Sequence, residues 1–133
     1  MSDGSESAFR ELVGYQLAEW REGYAKVTME VGAKHMNRSG LLHGGALVTL
    51  IDSTCGYAGT YSSDPERPLR GFTLQLSTQF LATVKQGATL TAEARKNGGG
   101  AKIFYAVCEV RDQDGTLVGS GQGTFRYRRS QIR

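Results

Sequence analysis

Between residues 24 and 31 the chain alternates strictly, with Ala25, Val27, Met29 and Val31 on one side and Tyr24, Lys26, Thr28 and Glu30 on the other. A period of two predicts a strand with one buried face. Residues 15–20 read as its hairpin partner across Arg21, Glu22 and Gly23, whose glycine supplies the turn. Residues 46–58 contain no proline, and Leu47, Leu50, Ile51, Thr54 and Ala58 recur at 3.6-residue spacing. That spacing predicts the chain's one long helix. A shorter helix is expected over residues 5–13, capped by Ser5 or Ser7, with Phe9, Leu12 and Val13 on one side. Past a polar loop at 62–68, four more strands are predicted at 72–80, 88–96, 103–112 and 117–127, the third of them after the Asn97 to Gly100 turn. In the first of the four, Phe72, Leu74, Leu76 and Phe80 should face one way and Thr73, Gln75, Ser77 and Gln79 the other. The pattern is an antiparallel meander of α+β class.

Composition changes this picture mainly through glycine, 18 of 133 residues. Gly119, Gly121 and Gly123 fall on one face of the last strand, opposite Val118, Ser120, Gln122 and Thr124. A glycine face lets another element come close, as a sheet wrapped tightly around a helix requires. A dinucleotide loop is excluded for this stretch, because its third glycine is misplaced and no helix is predicted after it.

Length and balance fit a single domain over residues 1–133, too apolar at 39% hydrophobic and 22% charged for disorder. The net charge of +3 comes from a basic stretch at 125–133, without the helical or zinc motifs that would make nucleic acid a partner. Cys55 and Cys108 lack C-x-x-C spacing and are expected as buried thiols. Neither a signal-peptide pattern nor a membrane-length apolar stretch is present, so a cytoplasmic protein with no membrane partner is expected. The glycosylation acceptor pattern at Asn37, Arg38 and Ser39 would then go unused. His35 and His43 lack metal-ligand spacing, and no metal or cofactor is expected.

The candidate chemistry lies in residues 37–52. Asp52 falls off the apolar seam of the long helix, on a second stripe with Gly45, Val48 and Gly56. A carboxylate on so apolar a helix needs a partner or a task. His43, Gly44 and Gly45 open the helix, where unpaired N–H groups and the positive end of the dipole suit a developing oxyanion. The glycines alone also fit a plain helix start with a permissive turn, the commoner case. Eight residues separate Gly44 from Asp52, about 12 Å along the axis at about 1.5 Å per residue. One chain cannot easily bring both to one carbonyl, whereas two copies with antiparallel helices would do so twice. An active site here therefore implies an obligate homodimer.

At these residues the sequence resembles the hotdog-fold acyl-CoA thioesterases, in the phenylacetate-degradation (PaaI-type) and thioesterase-superfamily-member-2-like branch. The signature is HMNRSGLLHGGALVTLID: an Asn, then G-x-x-H-G-G, then an aspartate seven residues after the second glycine. The resemblance extends over roughly residues 15–127 and implies a curved antiparallel sheet around the central helix, joined edge to edge in dimers that commonly pair into tetramers. It implies Asp52 as base or nucleophile, Gly44 as donor to the thioester oxygen, Asn37 and His43 as groups that position the thioester or water and hold the loop, and Thr73 as the residue that orients the attacking water. For coenzyme A it points to residues 80–85, including Phe80 and Lys85, to the turn with Gly98, Gly99, Gly100, Ala101 and Lys102, and to Arg126. That turn places backbone N–H groups beside lysines, which suits phosphates, although Asn-Gly is also simply a good hairpin turn. His35 is expected at the surface.

The function so implied is hydrolysis of an aryl- or medium-chain acyl-CoA, the latter two preferences resting on resemblance only. Two rivals use the same fold. One is a 3-hydroxyacyl-thioester dehydratase using His43 and Asp52, which the H-G-G signature and Asn37 disfavour. The other is a non-catalytic acyl-CoA-binding protein, in which Asp52 would be dispensable.

Overall fold

The computed structural model describes residues 7–128, which form α1 (Ala8–Val13), β1 (Gln16–Arg21), β2 (Tyr24–Glu30), a 3-10 turn (Ala33–His35), α2 (Gly44–Gly59), β3 (Gly71–Phe80), β4 (Thr89–Gly99), β5 (Ile103–Arg111) and β6 (Leu117–Tyr127). Ser7 caps α1, its side chain accepting from the Arg10 N–H. Ser5 and the end of the basic stretch, residues 129–133, lie outside the described residues.

All pairings are antiparallel, in the order β1-β2-β4-β5-β6-β3. The expected meander is thus interrupted once. The long helix carries the chain across the sheet between β2 and β3, so β3 lands on the far edge beside β6 instead of next to β4. α2 covers the face where Leu47, Leu50, Ile51, Thr54, Cys55 and Ala58 meet Val27, Met29, Leu90, Ala92, Phe104 and Val110, all buried. The two thiols are free and buried, as expected.

The glycine face of β6 turns toward this helix. A Cβ on Gly121 would stand 2.7 Å from both the Ile51 side chain and the Ser77 carbonyl, and one on Gly119 would stand 2.7 Å from Leu47. Only glycine lets the sheet curve this closely around α2. The Asn97 to Gly100 segment departs from its expected role as a turn. Asn97 sits at a register shift inside β4, and Gly98 and Gly99 still pair with Tyr105 and Phe104. Gly99 has φ +127°, where its Cβ-free backbone passes close to Ile103 and Phe104.

Candidate active site

The helix α2 begins two residues before the apolar periodicity does, because His43 is its N-cap. Its backbone is extended at φ −64° and ψ 134°, and Nδ1 accepts from the Gly45 N–H at 2.8 Å. The N–H groups of Ala46 and Leu47 bond to the His43 carbonyl. The Gly44 N–H has no acceptor among the described residues. It therefore projects the partial positive charge of the helix end into open space. A Cβ at position 44 would stand 3.3 Å from the Phe80 ring, so the glycine keeps this N–H approachable beside an exposed aromatic wall.

Asn37 shapes the loop leading in. Its Oδ1 accepts from the N–H groups of Ser39 at 2.8 Å and Leu41 at 3.1 Å, and its own N–H donates to the Leu41 carbonyl at 2.7 Å. His35 is not at the surface but 5% exposed. Nδ1 accepts from the Gly32 N–H at 2.9 Å, so Nε2 carries the proton given to the Val13 carbonyl at 2.6 Å. The His35 carbonyl in turn accepts from the His43 N–H at 2.8 Å. One buried ring thus ties the end of α1 to the residue that caps α2. The spacing Gly32 to His35, one helical turn, is the signal that could have found it.

Asp52, half-buried on α2, accepts from Thr73 Oγ1 at 2.6 Å through Oδ1. The partner that its apolar surroundings demanded is therefore present. Strict alternation would have put Thr73 on the face opposite Leu76. Instead the register shifts between Thr73 and Gln75, with Thr73 beside Phe125 and Leu76 beside Gly123. The extra residue, Leu74, brings Thr73 to the helix side of the sheet.

Asp52 and Thr73 form the rim of a cleft of about 220 Å³ between α2, β1 and the start of β3. Tyr15, Trp20, Tyr57, Phe72, Phe104 and Phe125 line it, together with the small residues Ser53 and Gly56. Trp20 is fixed by a bond from Nε1 to the Tyr57 carbonyl at 2.8 Å and by an edge contact with the Tyr57 ring. Asp52 and Thr73, both singled out in the sequence, are brought together here, whereas this aromatic box was not anticipated.

The residues expected to hold coenzyme A fall into two groups. Arg126 pairs with Ile103, and the Tyr127 N–H bonds to the Lys102 carbonyl, so Arg126 and the turn at 98–102 are neighbours. Phe80 lies beside Gly119, at the opposite end of β3 from the Gly71–Tyr127 pair. Nine strand steps separate those ends, roughly 30 Å at about 3.3 Å per residue. One chain does not bring the two groups together.

A sheet curled around one long helix, with a carboxylate on that helix and an open helix N-terminus, matches the hotdog-fold thioester hydrolases among solved structures. The Thioesterase superfamily model matches residues 39–119, and the chain belongs to that family. Its fold is similar to that of a conserved protein of Pseudomonas aeruginosa, PA5202, at TM-score 0.84 and 34% identity over 92% of this chain and 95% of that one. It is also similar to the E. coli PaaI protein from the phenylacetic acid degradation operon, at TM-score 0.80 and 28% identity over 90% of this chain and 83% of that one. Among relatives by sequence, a 1,4-dihydroxy-2-naphthoyl-CoA hydrolase of Listeria monocytogenes is 29% identical, over 71% of this chain and 76% of its own length. No helix among the described residues is long and apolar enough to cross a membrane.

Proposed function

We propose that the protein hydrolyses aryl- or medium-chain acyl-CoA thioesters to the free acid and coenzyme A. The observation that carries this reading is the Thr73–Asp52 hydrogen bond at the rim of an aromatic cleft. Thr73 holds Oδ1, while Oδ2 meets no donor among the described residues and is open to a water proton. In this scheme Asp52 takes a proton from water as the oxygen attacks the thioester carbon. The carbonyl electron pair moves onto oxygen, where the Gly44 N–H receives it. The tetrahedral intermediate then collapses, the C–S bond breaks, and the thiolate leaves with the proton held by Asp52. Direct attack by Asp52 is the covalent variant of the same geometry. Protein groups and water supply every step, with no metal or cofactor.

The two halves of this machinery belong to different chains. Gly44 and Asp52 stand about 12 Å apart on one helix, so the reacting carbonyl meets Asp52 of one protomer and Gly44 of its partner in an obligate homodimer. The edge strand β3 supports this assembly, because Phe72, Leu74 and Phe80 on it are about half exposed. Joined antiparallel along β3, the Phe80 end of one protomer would lie by the Arg126 end of the other. Lys85 from one side and Lys102 and Arg126 from the other then suit the phosphates of one coenzyme A. A dimer of dimers extends the same assembly. Asn37 and His43 hold the loop that presents Gly44. The cleft, below the ~300–1,000 Å³ that drug-sized ligands occupy, suits a single ring or a short chain, and a role in aryl-acid breakdown such as phenylacetate degradation fits that size.

The test is thiol release by wild-type protein and Asp52→Asn on a panel of aryl and straight-chain acyl-CoA thioesters. Turnover by wild type with a loss of at least about 10²-fold in kcat for the folded variant is the expected result. Equal rates, or no turnover by wild type, would remove Asp52 as the catalyst.

A further inference from the structure

His35 is buried, polar and without a part in the chemistry proposed above, yet its backbone holds the residue that precedes Gly44. Its ring is engaged from two sides, by the Gly32 N–H on Nδ1 at 2.9 Å and by the Val13 carbonyl on Nε2 at 2.6 Å. The neighbouring Lys34 donates to the Leu12 carbonyl at 2.9 Å, so two successive residues grip the last two carbonyls of α1. An apolar side chain at position 35 could fill the space but would satisfy neither backbone group.

From this foot a loop rises and returns. The His43 N–H donates to the His35 carbonyl at 2.8 Å, Met36 forms an antiparallel bridge with Leu42, and the Asn37 N–H donates to the Leu41 carbonyl at 2.7 Å. Residues 35–43 are therefore a closed loop, with His35 as one foot and the N-cap of α2 as the other. His43 is held twice, by its N–H on His35 and by Nδ1 on the Gly45 N–H. Its ψ of 134° orients the next peptide and so aims the Gly44 N–H. On its other side the loop is tied by the Leu42 N–H, which donates to the Val84 carbonyl at 2.8 Å. Without the His35 ring that tie stays, the one to α1 is lost, and the loop is free to pivot about Leu42.

We propose that His35 is a positioning residue, which acts through His43 to aim the Gly44 N–H at the thioester oxygen. This rests on the thioesterase reading and on the site shared between protomers, and it adds a direction. The ring of one protomer serves the carbonyl that lies against the partner's Asp52. A displaced donor loses its hold on the developing oxyanion while ground-state binding changes little, so the effect falls on kcat.

The experiment follows thiol release by His35→Ala and His35→Gln, alone and in mixed dimers, on the thioester that wild type turns over fastest, at a temperature where circular dichroism shows each variant folded. His35→Ala should lose about tenfold or more in kcat with KM changed by less than about threefold. His35→Gln, whose amide can donate to Val13, should regain part of the rate, and it carries the test where the Ala variant does not fold. After exchange with Asp52→Asn, His35→Ala should rise to about a quarter of wild type, because each heterodimer holds one site with Asp52, His35 and Gly44 all intact. After exchange with Gly44→Val it should gain nothing, since every site then carries one of the two defects. Asp52→Asn mixed with Gly44→Val is the control for the shared site. Recovery in the control but none of His35→Ala by Asp52→Asn, recovery by Gly44→Val instead, or His35→Ala at wild-type rate would each overturn the role of His35 and leave the hydrolase standing. No turnover by wild type, or no recovery in the control, would overturn the reading beneath it, and this role with it.

Discussion

Thr73 Oγ1 donates to Asp52 Oδ1 at 2.6 Å, and a one-residue bulge in β3 makes the contact. Without Leu74 as the extra residue, Thr73 would face away from the helix. The hydrogen bond restrains the carboxylate and leaves its second oxygen without a donor among the described residues, free for the proton transfer proposed above. Thr73→Ala should therefore lower kcat by about tenfold, less than the at least about 10²-fold of Asp52→Asn. Thr73→Ser keeps the hydroxyl and should retain most of the rate. Steady-state kinetics on one thioester checks the order, and Thr73→Ala at full rate would show that Asp52 needs no such partner.

The proposed homodimer, with its site shared between protomers, has a consequence that no single-chain site has. Asp52→Asn alone and Gly44→Val alone should each be nearly inactive, since each dimer loses one half of both sites. Mixed in equal amounts and allowed to exchange, they form heterodimers in which one site carries both defects and the other neither. Activity should return to about a quarter of wild type, half the dimers having half their sites. Failure to recover any activity after proven exchange would place Gly44 and Asp52 in separate roles.

How much of this was legible in the sequence depended on whether the information was local. Val27 and Met29 announced a strand through period two, and Leu47, Leu50 and Ile51 announced a helix through period 3.6, because each pattern reports one buried face. The stripe that isolated Asp52 came from the same helical geometry. Thr73 was singled out on the polar face of its strand, and its bond to Asp52 was not foreseen, since a bulge is set by pairing with β6 and leaves no trace in alternation. The placement of β3 at the far edge escaped for a related reason, because sequence order does not reveal where a helix crosses a sheet. His35 was misread because its two partners, Gly32 and Val13, are backbone groups, one of them 22 residues away.

His35 gives a prediction on stability. Replacing it by Ala removes the acceptor of the Gly32 N–H and the donor to the Val13 carbonyl, at a cost of about 1–3 kcal/mol for groups left unpaired in a buried setting. His35→Gln, whose amide offers one acceptor and donors, should recover part of this. Urea unfolding midpoints order the three proteins, and an Ala variant as stable as wild type would show that water replaces the ring at no cost.

Tyr24 sets a dependence on alkaline pH. Burial, and then the hydrogen bond that its hydroxyl donates to Glu93 at 2.5 Å, push its pKa from the usual 10.0 up to about 12. Between those values the unfolded chain has lost the phenolic proton and the folded chain still holds it. The folded state then binds more protons, so stability falls as pH rises through this window and the contribution is fully present only below it. Tyr24→Phe has no proton to lose. Urea midpoints at about pH 9 and about pH 11 should drop further for wild type than for Tyr24→Phe, the difference being the share of this one phenol. An equal drop in both would mean that the alkaline sensitivity arises elsewhere and that Glu93 holds no proton on Tyr24.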